Sequence, residues 1–302
     1  MTKAALSERS ARMNIREYIR KCDGDFSERL NRVADDIAEG NKRVICLSGP
    51  TCSGKTTAAA MIALRLTAGG RNVHVISIDD FYFDRDYLHS LSQSKGLDGI
   101  DYDSVDTIDL RALEEFVREV FCGEEIHCPV FDFRSGTRTG FRTVNAKEKD
   151  LFIFEGIQAI YPQVTSLFEP IGYVSVYIAP LRELSVNGET LSPNRIRLLR
   201  RLVRDSNFRG ASAEFTLHLW ESVRENEERN IFPFADSCKY KIDSTHDYEL
   251  GVLRPYLEKL LQNFSEGSKY SGKAKEILMQ MSAVEPISSA LIEEGSLYRE
   301  FV

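Results

Sequence analysis

Residues 49–57 read GPTCSGKTT, so two glycines and several hydroxyl side chains surround a single lysine. The stretch fits the pattern G-x-x-x-x-G-K-[ST], in which small residues let consecutive backbone N–H groups turn inward around phosphate oxygens. An apolar run at 44–49 predicts a buried strand before it, and residues 55–67 predict a helix after it. This context predicts a phosphate-binding loop at the N-terminus of a helix, within an α/β fold.

The loop also predicts which groups meet a nucleotide. Lys55 is expected to reach the β- and γ-phosphates, and the Thr56 hydroxyl is expected to ligate Mg²⁺. The strings N-K-x-D and D-x-x-G, which are typical of GTPases, do not occur, and this disfavours a GTPase switch. The loop residues expected to bind the nucleotide are Gly49, Pro50, Thr51, Cys52, Ser53, Gly54, Lys55, Thr56 and Thr57.

Apolar runs and helical patterns alternate along the rest of the chain. Further strands are predicted at 72–78, 151–157, 173–179 and 240–244. This alternation is typical of a doubly wound parallel sheet. The polar, glycine-containing stretch 84–109 is expected to be a long loop that leads into a helix near Asp109.

The sequence predicts three segments. Residues 1–40 are expected to form a helical extension, because apolar residues recur there at helical spacing up to Gly40. Residues 41–262 are expected to form the phosphate-binding domain, and residues 263–302 a C-terminal extension. The apolar side chains of that extension would be costly to expose, so we expect it to pack on the core.

The composition excludes several classes of function. The formal net charge is −7 at pH 7, which argues against a general nucleic-acid-binding protein. No apolar run is long enough to span a bilayer, and the N-terminus lacks the apolar core of a signal peptide. The six cysteines form no C-x-x-C pair and are scattered as in a reduced, cytosolic protein. We therefore expect a cytoplasmic protein without a nucleic-acid or membrane partner.

Acidic residues follow two of the predicted strands. Asp79 and Asp80 follow the strand at 72–78, and Glu155 closes an apolar run. Ligands of such sheets gather at the carboxyl ends of the strands, so these acids are expected at the site. A carboxylate there suits either a metal or an alcohol whose proton it accepts during phosphoryl transfer. With Thr56, Glu155 would complete a Mg²⁺ site of oxygen ligands.

A run of arginines marks a further helix, which a serine–proline pair at 192–193 is expected to begin. Like charges on one helix repel one another, so the run predicts a lid at about residues 190–215 that neutralises a transferring phosphoryl group. A solvated helix face or an RNA-binding stripe would be the alternatives. Arg197, Arg201 and Arg204 share one face. The helix carries Arg195, Arg197, Arg200, Arg201 and Arg204, and Arg209 lies just beyond it.

Four motifs occur in the order found in the uridine kinase/phosphoribulokinase family. They are the phosphate-binding loop, S-I-D-D-F-Y (77–82), P-V-F-D-F-x-x-G-x-R (129–138) and F-E-G-I (154–157). Over residues 43–262 the chain therefore resembles this family of kinases. The resemblance implies a P-loop NTPase fold, with a doubly wound parallel sheet and an arginine-rich helical lid, here with helical extensions at both ends.

The resemblance also implies roles for individual residues. Asp79 would be the catalytic carboxylate, Asp103 would grip ribose hydroxyls, and Phe133 would pack on the base. Catalysis would further involve Lys55, Arg201 and Arg204, and Arg209 would contact ATP. The Mg²⁺ ligands would be Thr56, Asp79 and Glu155. The residues on the acceptor side would be Asp80, Tyr82, Asp103, Phe131, Phe133 and Arg138.

Two positions depart from the family's pattern at the base. Uridine kinases place Tyr and His in P-x-Y-D-F-x-x-H, where this chain has Phe131 and Gly136. Two hydrogen-bonding groups are lost, and glycine is expected to leave room where the imidazole stood. We therefore expect the ribose to be read more strictly than the base, so that the enzyme either accepts several nucleosides or prefers a larger or non-pyrimidine acceptor. A lid arginine of many uridine kinases is also replaced, by Ala211.

The sequence thus predicts a kinase that transfers the γ-phosphoryl group of ATP, with Mg²⁺, to the 5′-hydroxyl of a nucleoside. A pantothenate kinase-like or phosphoribulokinase-like acceptor is an alternative, and so is a non-catalytic nucleotide sensor. A sensor need not keep an acceptor-side carboxylate such as Asp79, which favours the enzyme. The expected partner is a small-molecule acceptor, and a homo-oligomer is left open.

Overall fold

A computed structural model describes residues 14–302, except residues 98, 123–124, 263 and 266. Residues 1–13 of the predicted N-terminal extension therefore lie outside the described residues. None of the helices in the described part is long and apolar enough to cross a membrane. The helices and strands, in chain order, are α1 (Ile15–Glu39), β1 (Val44–Ser48), α2 (Lys55–Ala68), β2 (Val73–Ser77), α3 (Arg85–Ser94), α4 (Leu110–Cys122), β3 (Glu125–Asp132), β4 (Thr137–Asn145), β5 (Leu151–Glu155), α5 (Pro162–Thr165), β6 (Tyr173–Ala179), β7 (Leu184–Val186), β8 (Glu189–Leu191), α6 (Pro193–Phe208), α7 (Ala213–Asn230), α8 (Phe232–Ala235), β9 (Tyr240–Asp243), α9 (Glu249–Leu261) and α10 (Ser271–Ser282).

The central sheet has five strands in the order β2-β5-β1-β6-β9, and all neighbours are parallel. These strands are the apolar runs predicted from the sequence, and the predicted doubly wound sheet is confirmed. Leu47 near the end of β1 and Ser77 at the end of β2 both lie opposite Glu155 of β5. The loop after β1, Asp79 and Glu155 therefore meet at one edge of the sheet.

Side chains of β1 alternate between two hydrophobic cores, one on each face of the sheet. Ile45 and Leu47 join a core with residues of α1, α2, α6 and α9. Val44 and Cys46 join a second core with α4 and the antiparallel β3–β4 hairpin. Burial on both faces explains why the strands read as continuous apolar runs rather than as alternating patterns.

Both ends of the described chain pack on the first of these cores. The helix α1 buries Phe26 and Leu30 and ends at Gly40. The last residues of the chain bury Leu297, Tyr298 and Phe301 in the same cluster. The C-terminus therefore lies against the sheet's helical layer, close to the loop after β1.

The expected long loop at 84–109 is wrong in its first part, where the structure has the helix α3. Leu88 and Ser92, one helical turn apart, are its two buried residues. The N–H of Leu88 donates to the carbonyl of Asp84 at 3.0 Å, which closes the first turn. Because only two of the ten residues are buried, the helix leaves almost no apolar periodicity in the sequence.

Candidate active site

One cavity of about 970 Å³ lies at the carboxyl edge of the sheet. The loop after β1, the ends of β2 and β5, and parts of α6 and α7 form its walls together with the chain's C-terminus. The structure therefore brings most of the predicted site residues together. Those that line the cavity are Thr51, Cys52, Ser53, Gly54, Lys55, Thr56, Asp79, Tyr82, Asp103, Phe133, Glu155, Arg201, Arg204 and Arg209.

The loop after β1 has the backbone geometry of an anion cradle. Cys52 and Gly54 have φ angles of 58° and 93°, which turn the chain sharply before α2. The N–H of Ala58 is bonded to the carbonyl of Gly54 at 3.0 Å, so the preceding N–H groups of the first turn have no partner within the helix. At Gly49 a Cβ would lie 2.0 Å from the carbonyl oxygen of Ile178, so only glycine fits there. The first turn of α2 therefore presents N–H groups suited to a phosphate.

Two buried arginines of α6 hold this loop from behind. Arg197 donates to the carbonyl of Thr51 at 3.3 Å and to the carboxylate of Glu227 at 2.6 Å. Arg200 donates to the carbonyl of Cys52 at 3.3 Å and pairs with Glu249 at 2.7 Å. The expectation that these arginines need a bound anion is wrong for both, because carboxylates of the protein neutralise them. They satisfy the carbonyls that the loop turns away from the cavity.

Three other arginines do face the cavity. Arg201, Arg204 and Arg209 share the single carboxylate of Asp205, with N–O distances of 3.2, 2.6 and 3.8 Å. Burial and the neighbouring Arg204 charge lower the pKa of Arg209. Three guanidinium groups against one carboxylate leave excess positive charge beside the cradle. An added anion such as a phosphoryl group would be stabilised there.

Two carboxylates, Asp79 and Glu155, also line the cavity. Burial and the charge of Asp79 raise the pKa of Glu155 to about 7. Burial also raises the pKa of Asp79, although the Lys55 ammonium opposes that rise. Within the described residues, no group of three or more His, Cys, Asp or Glu side chains could hold a metal ion. A cation there would have to share its coordination with the Thr56 hydroxyl, phosphates and water.

A second acidic group lines the cavity farther from the cradle. Burial, followed by the charges of Asp101 and Glu227, raises the pKa of Asp103 to about 7. The amide of Asn226 donates to Asp101 at 2.8 Å, and the hydroxyl of Tyr161 donates to the carbonyl of Asp103 at 2.9 Å. These bonds fix the segment, so its carboxylates form a preorganised acceptor surface for hydroxyl groups.

Several predicted residues do not line the cavity. Gly49 and Pro50 lie at the start of the loop, and the N–H of Thr57 is bonded to Glu300. Asp80 accepts from the N–H of Phe131 at 3.2 Å and pairs with Arg142 at 3.7 Å. Phe131 itself is buried in the core beneath Tyr82. Arg138 donates to the carbonyls of Phe81 and Tyr82, at 2.9 and 3.1 Å. Asp80, Phe131 and Arg138 therefore support the backbone around Asp79 rather than face the cavity.

The room expected beside Gly136 is filled. A Cβ on Gly136 would lie 2.6 Å from Nε and 2.7 Å from Cζ of Arg85, so the arginine side chain passes directly over the glycine. Arg85 also lines the cavity. Arg85 thus brings a polar group to the place where the sequence predicted open room.

The C-terminus contributes a carboxylate that the sequence did not single out. Glu300 lines the cavity and accepts hydrogen bonds from the N–H of Thr57, at 2.8 Å, and from its hydroxyl. Leu297 lies so close to Gly54 that a Cβ there would come within 2.2 Å of it. An acidic side chain from the end of the chain thus takes one of the N–H donors of the first turn of α2.

Reasoning from the sequence missed several cavity residues, among them Arg85, Asp101, Asn226 and Glu300. Asp101 stands two positions before Asp103, and Arg85 comes shortly after the S-I-D-D-F-Y motif, so position alone could have suggested both. Asn226 and Glu300 lie far along the chain, and no pattern there points to the site.

Known protein families and individual proteins show similarity to this chain. Residues 44–250 match the model of the phosphoribulokinase / uridine kinase family. A uridine kinase of Ureaplasma urealyticum is 27% identical over 180 residues, which cover 60% of this chain and 77% of that protein. A uridine kinase of Aliivibrio salmonicida is 27% identical over 72% of this chain and 95% of its own length. The uridine-cytidine kinase B of Dictyostelium discoideum is 29% identical over 59% of this chain and 64% of its length.

The family match covers most of the chain, which therefore belongs to the phosphoribulokinase / uridine kinase family. At that level it is a P-loop kinase that acts on small molecules, and the family implies ATP as the phosphoryl donor.

Proposed function

We propose that this protein transfers the γ-phosphoryl group of ATP to the 5′-hydroxyl of a nucleoside. The observation that supports this most is the single cavity that combines a phosphate cradle with an acceptor surface. Lys55 and the arginines that share Asp205 supply positive charge on one side. Asp103 and the rings of Tyr82 and Phe133 supply hydrogen-bond acceptors and a stacking surface on the other.

Asp79 is the residue that we propose to activate the acceptor. Its carboxylate would orient the hydroxyl and take up its proton as the new P–O bond forms. This role requires the ionised form, which the nearby Lys55 charge favours against the effect of burial on the pKa. Lys55, Arg201 and Arg204 would neutralise the charge on the transferring group, which a loose transition state spreads over its oxygens.

Thr56, Asp79 and Glu155 fit Mg²⁺ by their chemistry. All three line the cavity and carry oxygen ligands. Burial and the charge of Asp79 raise the pKa of Glu155 although Lys55 opposes the rise, and a bound cation would stabilise its ionised form further. When bound, Mg²⁺ would offset the negative charge of the β- and γ-phosphates.

On the acceptor side, Asp101 and Asp103 would accept hydrogen bonds from the ribose hydroxyls. Phe133 is 56% exposed and meets Tyr82 edge-on, with ring centroids 6.2 Å apart. An exposed ring at the cavity wall offers a face for a planar base. A nucleoside therefore matches both kinds of surface, whereas an aliphatic acceptor would leave the aromatic one unused.

The test is ADP release by the purified protein with ATP and Mg²⁺. The panel contains uridine, cytidine, adenosine, guanosine, inosine, pantothenate and ribulose 5-phosphate, and Lys55→Ala serves as the inactive control. We expect nucleoside-dependent ADP release and formation of the 5′-monophosphate. If ADP were released only with pantothenate or only with ribulose 5-phosphate, that compound would be the acceptor instead of a nucleoside. ATP binding without turnover of any acceptor would favour a nucleotide sensor.

A further inference from the structure

Arg85 occupies the place at the acceptor end that glycine was expected to leave open. It begins α3, and its backbone N–H donates to the carbonyl of Gly136 at 2.7 Å. Its side chain then passes over Gly136, where even a Cβ would meet Nε at 2.6 Å. The glycine at the hairpin tip is therefore what admits the guanidinium to the cavity wall.

The guanidinium of Arg85 is held in place by the backbone, and some of its N–H donors remain available. It donates to the carbonyl of Phe133 at 2.6 Å and to that of Arg134 at 3.3 Å. Arginine has five N–H donors, so others are left for a ligand. No carboxylate of the described residues forms an ion pair with Arg85. The side chain is thus a fixed fork of donors without a counter-ion.

The hydrogen bond to the carbonyl of Phe133 sets the position of the Arg85 guanidinium. Because the Phe133 carbonyl anchors Arg85, a base stacked on the Phe133 ring would have the guanidinium as a neighbour. Asp101 and Asp103 line the same cavity, and the Tyr82 hydroxyl donates to the carbonyl of Tyr102 between them, at 3.1 Å. The cavity therefore offers carboxylates to a sugar end of the acceptor and guanidinium donors to a base end.

We infer that Arg85 determines specificity for the base and selects nucleosides that carry a carbonyl oxygen where adenine and cytosine carry an amino group. This inference rests on the proposed nucleoside kinase function. A guanidinium donates only, and it pairs well with O6 and N7 of a 6-oxopurine or with O4 of uracil. The amino groups of adenine and cytosine are donors as well, so at that position they cannot accept from the guanidinium and the contact made by the carbonyl oxygen is lost.

Two matched pairs of nucleosides isolate this effect from ring size: inosine against adenosine, and uridine against cytidine. The parent protein should prefer the oxo member of each pair by about tenfold to a hundredfold in kcat/KM, the range of one good bidentate contact. Arg85→Met removes the donors and should bring both ratios close to one. Arg118→Met, an exposed arginine of α4 away from the cavity, should leave both ratios unchanged.

A purely structural role of Arg85 would give a different result. Loss of support for Phe133 would lower kcat/KM for both members of a pair and leave their ratio unchanged. Gly136→Ala provides a second test, because its Cβ would collide with the Arg85 side chain while the arginine stays in the sequence, and an unchanged Tm is the control because Gly136 has a φ of 74°. It should also lower the two ratios.

Equilibrium binding of the four nucleosides, measured by calorimetry, separates the possible failures. If nucleosides bind or react but show no oxo preference, or if Arg85→Met keeps the parent ratios, the inference about Arg85 is wrong and the nucleoside kinase stands. If none of the four binds or reacts, the proposed function fails and this inference fails with it.

Discussion

Replacing Glu300 by Gln is expected to tighten the binding of ATP. The Glu300 carboxylate holds the N–H and the hydroxyl of Thr57 in the first turn of α2. N–H groups in this turn are the donors that such a loop offers to phosphates. Burial and the Asp79 charge raise the pKa of Glu155, and the charge of Glu300 adds to that rise, so it is felt inside the cavity. An incoming phosphate therefore competes with this carboxylate.

The size of the effect follows from Coulomb's law. One unit of phosphate charge about 6 Å from a carboxylate costs about 3 kcal/mol at an effective dielectric constant of about 20. Water and salt around the half-buried Glu300 reduce this to about 1.4 kcal/mol, a factor of about ten in the dissociation constant. Gln has the same length and keeps an acceptor oxygen, so the substitution removes mainly the charge.

The assay is calorimetric titration of the parent protein and of Glu300→Gln with ATP and Mg²⁺. Glu294→Gln is the matched control, because Glu294 is an exposed acid of the same terminal segment. We expect about tenfold tighter binding for Glu300→Gln alone, and a smaller gain in about 1 M salt. Unchanged or weaker ATP binding by Glu300→Gln, with an unchanged Tm, would refute the competition.

Three further predictions concern catalysis, pH and stability. Asp79→Asn should leave ATP binding nearly intact and lower kcat by a factor on the order of 10² in an ADP-release assay, the usual size of a general-base contribution. Burial and the Asp79 charge raise the pKa of Glu155 from 4.5 to about 7, so the folded protein holds this proton more tightly than the unfolded chain. In urea titrations the free energy of unfolding should therefore fall as the pH rises from about 4.5 to about 7, and Glu155→Gln should reduce that fall. Arg200→Met should lower the same free energy by about 3–5 kcal/mol, because it leaves the buried Glu249 unpaired.

Each of these three has an outcome that contradicts it. Parent-like turnover of Asp79→Asn would move the proton-accepting role to another group. An identical pH dependence in the parent and in Glu155→Gln would show that this carboxyl titrates alike in the folded and unfolded states. Adding Glu249→Leu to Arg200→Met should recover much of the lost stability, and a double variant no more stable than the single one would argue against the unpaired charge as the cause.

The inner strands β1, β5 and β6 could be predicted from the sequence because they are buried over most of their length, whereas the edge strands β2 and β9 are only partly buried. Burial on two faces demands an unbroken apolar run, as in residues 173–179, and such a run is visible without any knowledge of its neighbours. The helix α3 could not be predicted in the same way. It rests on Leu88 and Ser92 alone, so its pattern is that of a polar loop.

The cradle and its acids were also accessible from the sequence. A phosphate-binding loop is built by a few consecutive residues, and Asp79 and Glu155 follow strands whose carboxyl ends must meet at one edge. Local chain geometry therefore determines these positions, and they can be recognised from the motifs and their spacing in the sequence.

Only the tertiary structure decided what each charge is paired with. Arg197 and Arg200 looked like anion-binding arginines, yet Glu227 and Glu249 neutralise them from other helices. Glu300 reaches Thr57 from 243 residues away, and Arg85 lies over a glycine of a separate hairpin. A carboxylate anywhere in the chain can neutralise a given guanidinium, so long-range charge pairing leaves no spacing in the sequence and is settled only when the elements pack.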